Sequence, residues 1–196
     1  IDGARVYVTV SIGFCVPGKA SSRSGRGFLR SAEQALGDAR AHGPWSIRAY
    51  SSAMHARHTT RTELARELEA ALLNGQIAPW FQPQIRTDTG AVSGMEALAR
   101  WSHPDRGLIP PSDFLPLIED AGLSQRLGER ILHGALAALQ SWDRAGLHVP
   151  RVGVNFATGE LRNPQLVEKV RWELDRFNLA PARLTIEVLE TVIAST

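Results

Sequence analysis

Three apolar, strand-like runs each carry one oxygen-bearing side chain in place of a hydrophobic one, which narrows the folds open to the chain. Glu96 sits in Met95-Glu96-Ala97-Leu98-Ala99-Arg100-Trp101, Asn155 in Val152-Gly153-Val154-Asn155-Phe156, and Glu187 in Leu184-Thr185-Ile186-Glu187-Val188. At a strand period of two, Glu96, Leu98 and Arg100 share one face, and Met95, Ala97, Ala99 and Trp101 the other. A carboxylate in a covered strand is costly unless a cation or hydrogen bonds satisfy it. Three such donors on three strands suggest a site for a hard divalent cation, Mg²⁺ or Mn²⁺, with Ca²⁺ also open.

The segments around these runs alternate in type. Ile77 opens a strand, Thr87-Asp88-Thr89-Gly90 a turn, and Ala91–Trp101 a second strand, followed by a Pro/Gly-rich loop. Helices are predicted at Ser112–Glu119 and at Ser124–Ala145, the latter with Leu127, Ile131, Leu132, Leu136 and Leu139 as its core face. A strand at Arg151–Ala157, a helix at Pro164–Phe177 and a strand at Arg183–Leu189 follow. Alternation of this kind indicates an α/β fold of parallel βα units. If the units curl into a barrel, functional groups belong at the C-terminal ends of the strands.

Upstream, Val6–Phe14 reads as a strand, Pro17–Gly27 as a loop, and Phe28–His42 as a helix with Leu29, Ala32, Leu36 and Ala39 at helical spacing. Gly43-Pro44 stops that helix, and Trp45–Tyr50 reads as a closing strand. The pattern breaks over Ser51–Thr60, where a domain boundary is expected. Thr60-Arg61-Thr62-Glu63 fits a capping box for a helix bearing Leu64, Leu68, Ala71 and Leu72 and ending at Asn74-Gly75. The chain has 196 residues, begins with Ile1 and ends at Thr196 directly after a strand signal, and it reads as a fragment at both ends.

Composition excludes several classes. The formal net charge is +2, and no Lys/Arg run reads as a DNA or RNA patch. The lone Cys15 precludes an internal disulfide, fits a reducing compartment and reads as a buried structural thiol. The six histidines show no metal-ligand spacing, and His103, before Pro104, reads as a loop residue. No nucleophile elbow, P-loop or dinucleotide fingerprint occurs. The five tryptophans read as packing, and the charges at 160–176 as the solvent face of a helix. Oxygen ligands to Mg²⁺ or Mn²⁺ suit phosphoryl chemistry. Arg100, on the face of Glu96, would either clamp a phosphate bidentately or pair with Glu96 structurally.

From about Thr62 to Thr196 the chain resembles the EAL domain of bacterial cyclic-di-GMP phosphodiesterases. The resemblance rests on Phe81-Gln82-Pro83, Gly94-Met95-Glu96-Ala97-Leu98-Ala99-Arg100-Trp101, His103-Pro104 and Gly107. It continues through Pro111-Ser112-Asp113-Phe114-Leu115-Pro116, Glu119, Val154-Asn155-Phe156 and Glu187-Val188-Leu189-Glu190. It implies a TIM-like (β/α) barrel with one irregular strand at its start. The implied reaction is hydrolysis of cyclic di-GMP to linear pGpG at a two-metal Mg²⁺ or Mn²⁺ site. On the matching positions, Glu96, Asn155 and Glu187 would be metal ligands. Arg100 would contact a substrate phosphate, and Gln82 and Leu98 would line the substrate pocket. Glu190 would hold a loop linked to homodimer formation. The family's paired aspartates, lysine and later glutamate base would lie past Thr196, so the residues present would form part of a barrel, incomplete for catalysis and with an open, poorly stable edge. Phe156-Ala157-Thr158 departs from the Leu-Ser-Ala common in relatives, with the ligand position intact.

The first fifty residues resemble the C-terminal α+β end of a GGDEF (diguanylate cyclase) domain, through Val8-Thr9-Val10-Ser11-Ile12-Gly13 and Phe28-Leu29-Arg30-Ser31-Ala32-Glu33-Gln34-Ala35-Leu36. Arg40 and Pro44 stand where that family carries a lysine and an arginine, which implies a degenerate, regulatory cyclase domain. The expected organisation is a GGDEF end over 1–52, a linker over 53–61 and an EAL portion over 62–196, cytoplasmic for these parts; the sequence neither indicates nor excludes an upstream sensor domain. The alternative to an enzyme is an inactive cyclic-di-GMP-binding sensor.

Overall fold

A Cβ at Gly13 would lie 2.0 Å from the backbone nitrogen of Leu36, so the first strand and first helix meet backbone to backbone only because residue 13 has no side chain. The computed structural model describes residues 7–16, 18–20 and 24–188. They divide into two units at Glu63/Leu64. In the first unit, β1 (Ile12–Phe14) pairs in parallel with β2 (Ile47–Ala49), and α1 (Gly25–Ala41) connects them. Ser24 caps α1, its Oγ accepting the Gly27 N–H at 3.1 Å. The buried stripe of α1 is Gly27, Ser31, Ala35 and Ala39. Leu29, by contrast, is 61 % exposed. Small residues face the strand because the approach at Gly13 leaves no room for leucine. The strand expected from Val6 is assigned only over Ile12–Phe14, and Val6 itself lies outside the described residues. Cys15 is half-buried rather than enclosed, its thiol directed at the Val16 carbonyl.

Helix α2 runs from Ser52 to Leu73 without interruption, so residues 53–61, expected as a linker, are helical. The helix starts at Ser51, whose Oγ accepts the Met54 N–H at 3.2 Å. Good helix formers (Ala53, Met54, Ala56 and Arg57) follow that cap. Thr62, expected inside a capping box, instead donates its hydroxyl to the His58 carbonyl one turn back. The helix ends as expected, with Gly75 at φ +73° and Gln76 N–H bonded to Ala71 O at 2.9 Å.

The second unit holds a five-stranded sheet. Strands β3 (Ile77–Ile85) and β4 (Val92–His103) form an antiparallel hairpin, and β5 (Gly107–Ile109) folds back on the end of β4. Helices α3 (Pro111–Asp120) and α4 (Ser124–Arg144) lead to β6 (Val152–Phe156). A short α5 (Thr158–Leu161), α6 (Leu166–Arg176) and a single 3-10 turn lead to β7 (Leu184–Val188). The path β3-β4-β6-β7 is parallel from β4 onward, with Glu96 opposite Gly153 and Asn155 opposite Glu187. The antiparallel first strand and the parallel remainder are the arrangement the resemblance implied. β5 went unread in the sequence because three residues carry no period.

Burial separates the two faces of the sheet. Ala97, Val152, Val154 and Phe156 pack with Ile131, Leu132, Ala135, Leu136 and Leu139 of α4 and with Val170 and Leu174 of α6. Trp101 and Ile77 pack with Leu64, Leu68, Ala71 and Leu72 of α2 and with Phe114, Leu117 and Ile118 of α3. The opposite face carries the polar residues. His103 ends β4 and is 6 % exposed, not a loop residue. Its Nδ1 accepts the Asp105 and Arg106 N–H groups, and its Nε2 therefore donates to Glu67. Of the tryptophans, Trp101 is buried and Trp142 stacks edge-on to Phe81, whereas Trp45, Trp80 and Trp172 are more than half exposed. Among the described residues no helix is long and apolar enough to cross a membrane.

Glu160 is not on a solvent face: it is 8 % exposed. Its Oε2 accepts the Ala157 N–H at 2.9 Å, closing the start of α5, and its carboxyl lies against Gly128, where a Cβ would overlap it. Burial pushes the Glu160 carboxyl up, against the Ala157 hydrogen bond that favours its charge, and Glu129 adds repulsion. The folded state thus holds this proton more tightly than the unfolded one. The group's contribution is full below the ordinary carboxylate range and is lost as the pH rises through the raised value. Glu160→Gln keeps an acceptor for Ala157 and removes the buried charge. It is expected to raise the thermal midpoint at pH 7, with the gap closing towards pH 4; an unchanged gap across that range contradicts the account.

Candidate functional site

Register alone assembles the polar face. Directly opposed residues on paired strands point the same way, so Gln82 shares a face with Glu96, and Trp80 with Leu98. Gly153 shares the face with Glu96, and Asn155 with Glu187. Period-two alternation adds Gln84, Gly94 and Arg100 to it. The apolar neighbours on the other face fill the core, which is why the sequence alternates so sharply at Glu96.

Glu96, Asn155 and Glu187 come together on three neighbouring strands and are each half-buried. The Asn155 side-chain amide donates from Nδ2 to Glu96 Oε1 at 2.9 Å, leaving the amide oxygen as an acceptor. Glu187 folds its carboxylate back over Gly153, where a Cβ would stand 2.4 Å from Oε1. Gly153 is the cross-strand partner of Glu96, so this glycine gives the Glu187 carboxylate room beside the strand that carries Glu96. Gln84, which the sequence reading did not single out, reaches Glu187 Oε1 through its Nε2 at 3.5 Å.

Arg100 lies two positions beyond Leu98, its Nη1 donating to the Ala99 carbonyl at 3.0 Å. The ion pairs among the described residues do not include one between Arg100 and Glu96. Gln82 is exposed and Leu98 half-buried. Glu190 lies outside the described residues. Two carboxylates and an amide oxygen form a donor set of hard oxygens, which suits Mg²⁺ or Mn²⁺. The space over Gly153 fits such an ion's ligand. Among the described residues no cluster of three His, Cys, Asp or Glu side chains could hold a metal ion; the group here has two acids and one amide.

Comparison with known proteins places the chain in a family. The family model described as EAL domain matches residues 65–196. The chain belongs to the EAL domain family. The bifunctional diguanylate cyclase/cyclic di-GMP phosphodiesterase MucR of Pseudomonas aeruginosa is 33% identical over 97% of this chain and 28% of its own length. The cyclic di-GMP phosphodiesterase PdeR of Escherichia coli is 29% identical over 96% of this chain and 28% of its own. The chain spans about a quarter of the length of the curated relatives it matches. Among solved structures, the PaMucR phosphodiesterase in its c-di-GMP complex superimposes with a TM-score of 0.62 at 37% identity, covering 65% of this chain and 52% of that one. The EAL domain of Xanthomonas citri FimX, in complex with c-diGMP, gives a TM-score of 0.62 at 18% identity over 72% of this chain and 54% of that one. At that identity the likeness is one of fold, and the fold is the TIM-like EAL fold.

Proposed function

We propose that this EAL domain belongs to a phosphodiesterase that hydrolyses cyclic di-GMP to linear pGpG with Mg²⁺ or Mn²⁺. The observation that carries the reading is the Glu96–Asn155–Glu187 group on adjacent strands, with Arg100 on the same face. The activities for which MucR and PdeR are named support it. Glu96, Asn155 and Glu187 would hold the cation through oxygen. When bound there, such a cation would polarise a phosphoryl oxygen and lower the pKa of a water. Arg100 matches a phosphate with a planar, bidentate fork, and Gln82 and Leu98 line the face on which the dinucleotide lies. A homodimer role for Glu190 is part of the same proposal.

Residues 1–52 are read as the C-terminal end of a GGDEF domain. The MucR alignment supports this, since it extends upstream of the EAL match into β1, α1 and β2 and MucR carries a cyclase activity in its name.

The test uses the full-length protein, cyclic di-GMP and Mg²⁺ or Mn²⁺, with pGpG followed by anion-exchange chromatography. Product formation is expected. Tight binding of cyclic di-GMP with no product would replace the enzyme reading with the sensor reading. Gly153→Ala is the sharpest geometric probe. Its methyl displaces the Glu187 carboxylate, and activity is expected to fall about 10- to 100-fold with the protein still folded by circular dichroism.

A further inference from the structure

We propose that Gln84 is a positioning residue whose side-chain amide holds the Glu187 carboxylate over Gly153. The proposal rests on the reading of Glu187 as a metal ligand. Pairing between β3 and β4 runs without a break from Ile77–Trp101 to Gln84–Gly94, then slips, so that Ile85 faces Val92. Ser93 is therefore the extra residue of a β-bulge, a device that bends a strand and re-aims its side chains. The Ser93 hydroxyl donates to the Gln84 carbonyl at 3.0 Å and pins the backbone at the slip. Opposite Gln84 stands Gly94, where a Cβ would meet Gln84 Oε1 at 3.2 Å and the Arg151 carbonyl at 3.1 Å. With no side chain at 94, the Gln84 side chain lies across β4.

From there its Nε2 donates to Glu187 Oε1, joining the first and last strands of the path β3-β4-β6-β7 across 103 residues of sequence. That oxygen is also the one closest to the missing Gly153 Cβ. The carboxylate thus has a donor on one side and a bare backbone beneath it. One oxygen is engaged by the amide, which orients the other. A hydrogen-bond donor to a ligating carboxylate sets its direction, and losing such a partner costs metal affinity rather than fold.

Mn²⁺ alone is the probe, followed through the electron paramagnetic resonance signal of the free ion with the full-length protein. Gln84→Met preserves length and removes the donor. Mn²⁺ affinity is expected to fall about 10- to 100-fold while the thermal midpoint stays at the wild-type value. Affinity unchanged from wild type, or lost together with the fold, overturns the proposal. A metal-free measurement separates it from the reading on which it rests. The side-chain ¹⁵N–¹H signals of Gln84 are expected to shift in Glu187→Ala and not in Glu160→Gln. Absence of that shift overturns the positioning role whatever the metal does. A wild-type protein that binds no Mn²⁺ while Gln84 still responds to Glu187 overturns the metal reading alone, with the contact standing.

Discussion

Glu96→Ala in the full-length protein is expected to lower cyclic-di-GMP hydrolysis by on the order of 10³-fold, from the loss of several kcal/mol of transition-state charge stabilisation. The substitution removes one carboxylate and leaves the Asn155 amide without the acceptor it has at 2.9 Å. Two of the three oxygen donors are disturbed by one change. The fold should hardly notice. Glu96 is half-buried on the polar face, and its neighbours Ala97 and Met95 pack against the core from the other side. Unfolding free energy is therefore expected to move by less than about 1 kcal/mol. Steady-state assays across Mn²⁺ concentration, beside a urea melt, check both halves. Activity within tenfold of wild type at saturating metal would remove Glu96 from the site.

The largest loss of stability is expected at Trp101, which shares β4 with Glu96 and faces the other way. Its side chain is fully buried among Leu64, Leu68, Ile77 and Phe114. It meets Phe114 edge-on at 6.0 Å and 89°. Its Nε1 donates to Gln76 Oε1 at 3.2 Å. Trp101→Ala opens a cavity and orphans the Gln76 acceptor, at about 3–5 kcal/mol. For a chain of this size that is about 10 °C in midpoint. Trp101→Phe keeps most of the apolar volume and should cost clearly less. Calorimetry showing less than 1 kcal/mol for the alanine variant would mean that the α2–α3 side of the sheet packs differently.

Strands and helices that advertise themselves locally were legible from residue order. The period-two run at Met95–Trp101 assigned both faces of β4 correctly, because each residue's side is a local property. The α4 stripe was legible for the same reason, with Ile131, Leu132, Leu136 and Leu139 buried as spaced. The start of α2 was misplaced because two capping signals compete, and Ser51 stands ahead of Thr60 in the chain. Glu160 was misread because a charge in a helix is usually solvated; Gly128, far away in sequence, makes the space that buries it. Glu96, Asn155 and Glu187 were legible as odd residues in apolar strands, and the sheet register brings them together. The Gln84–Glu187 contact was not, since it depends on a one-residue slip and on two glycines that only the paired sheet brings into line.

The antiparallel entry of β3 also sorts the two ends of the sheet by purpose. The turn between β3 and β4, around Asp88 and Gly90, sits where the parallel strands begin, and Arg100 lies toward the end where they finish. Arg86 and Asp88 close that turn in an exposed ion pair, and exposed polar turns tolerate insertion. The hairpin tip is thus a natural graft point for a reporter peptide or fluorophore, attached to the sheet yet at the end opposite Arg100.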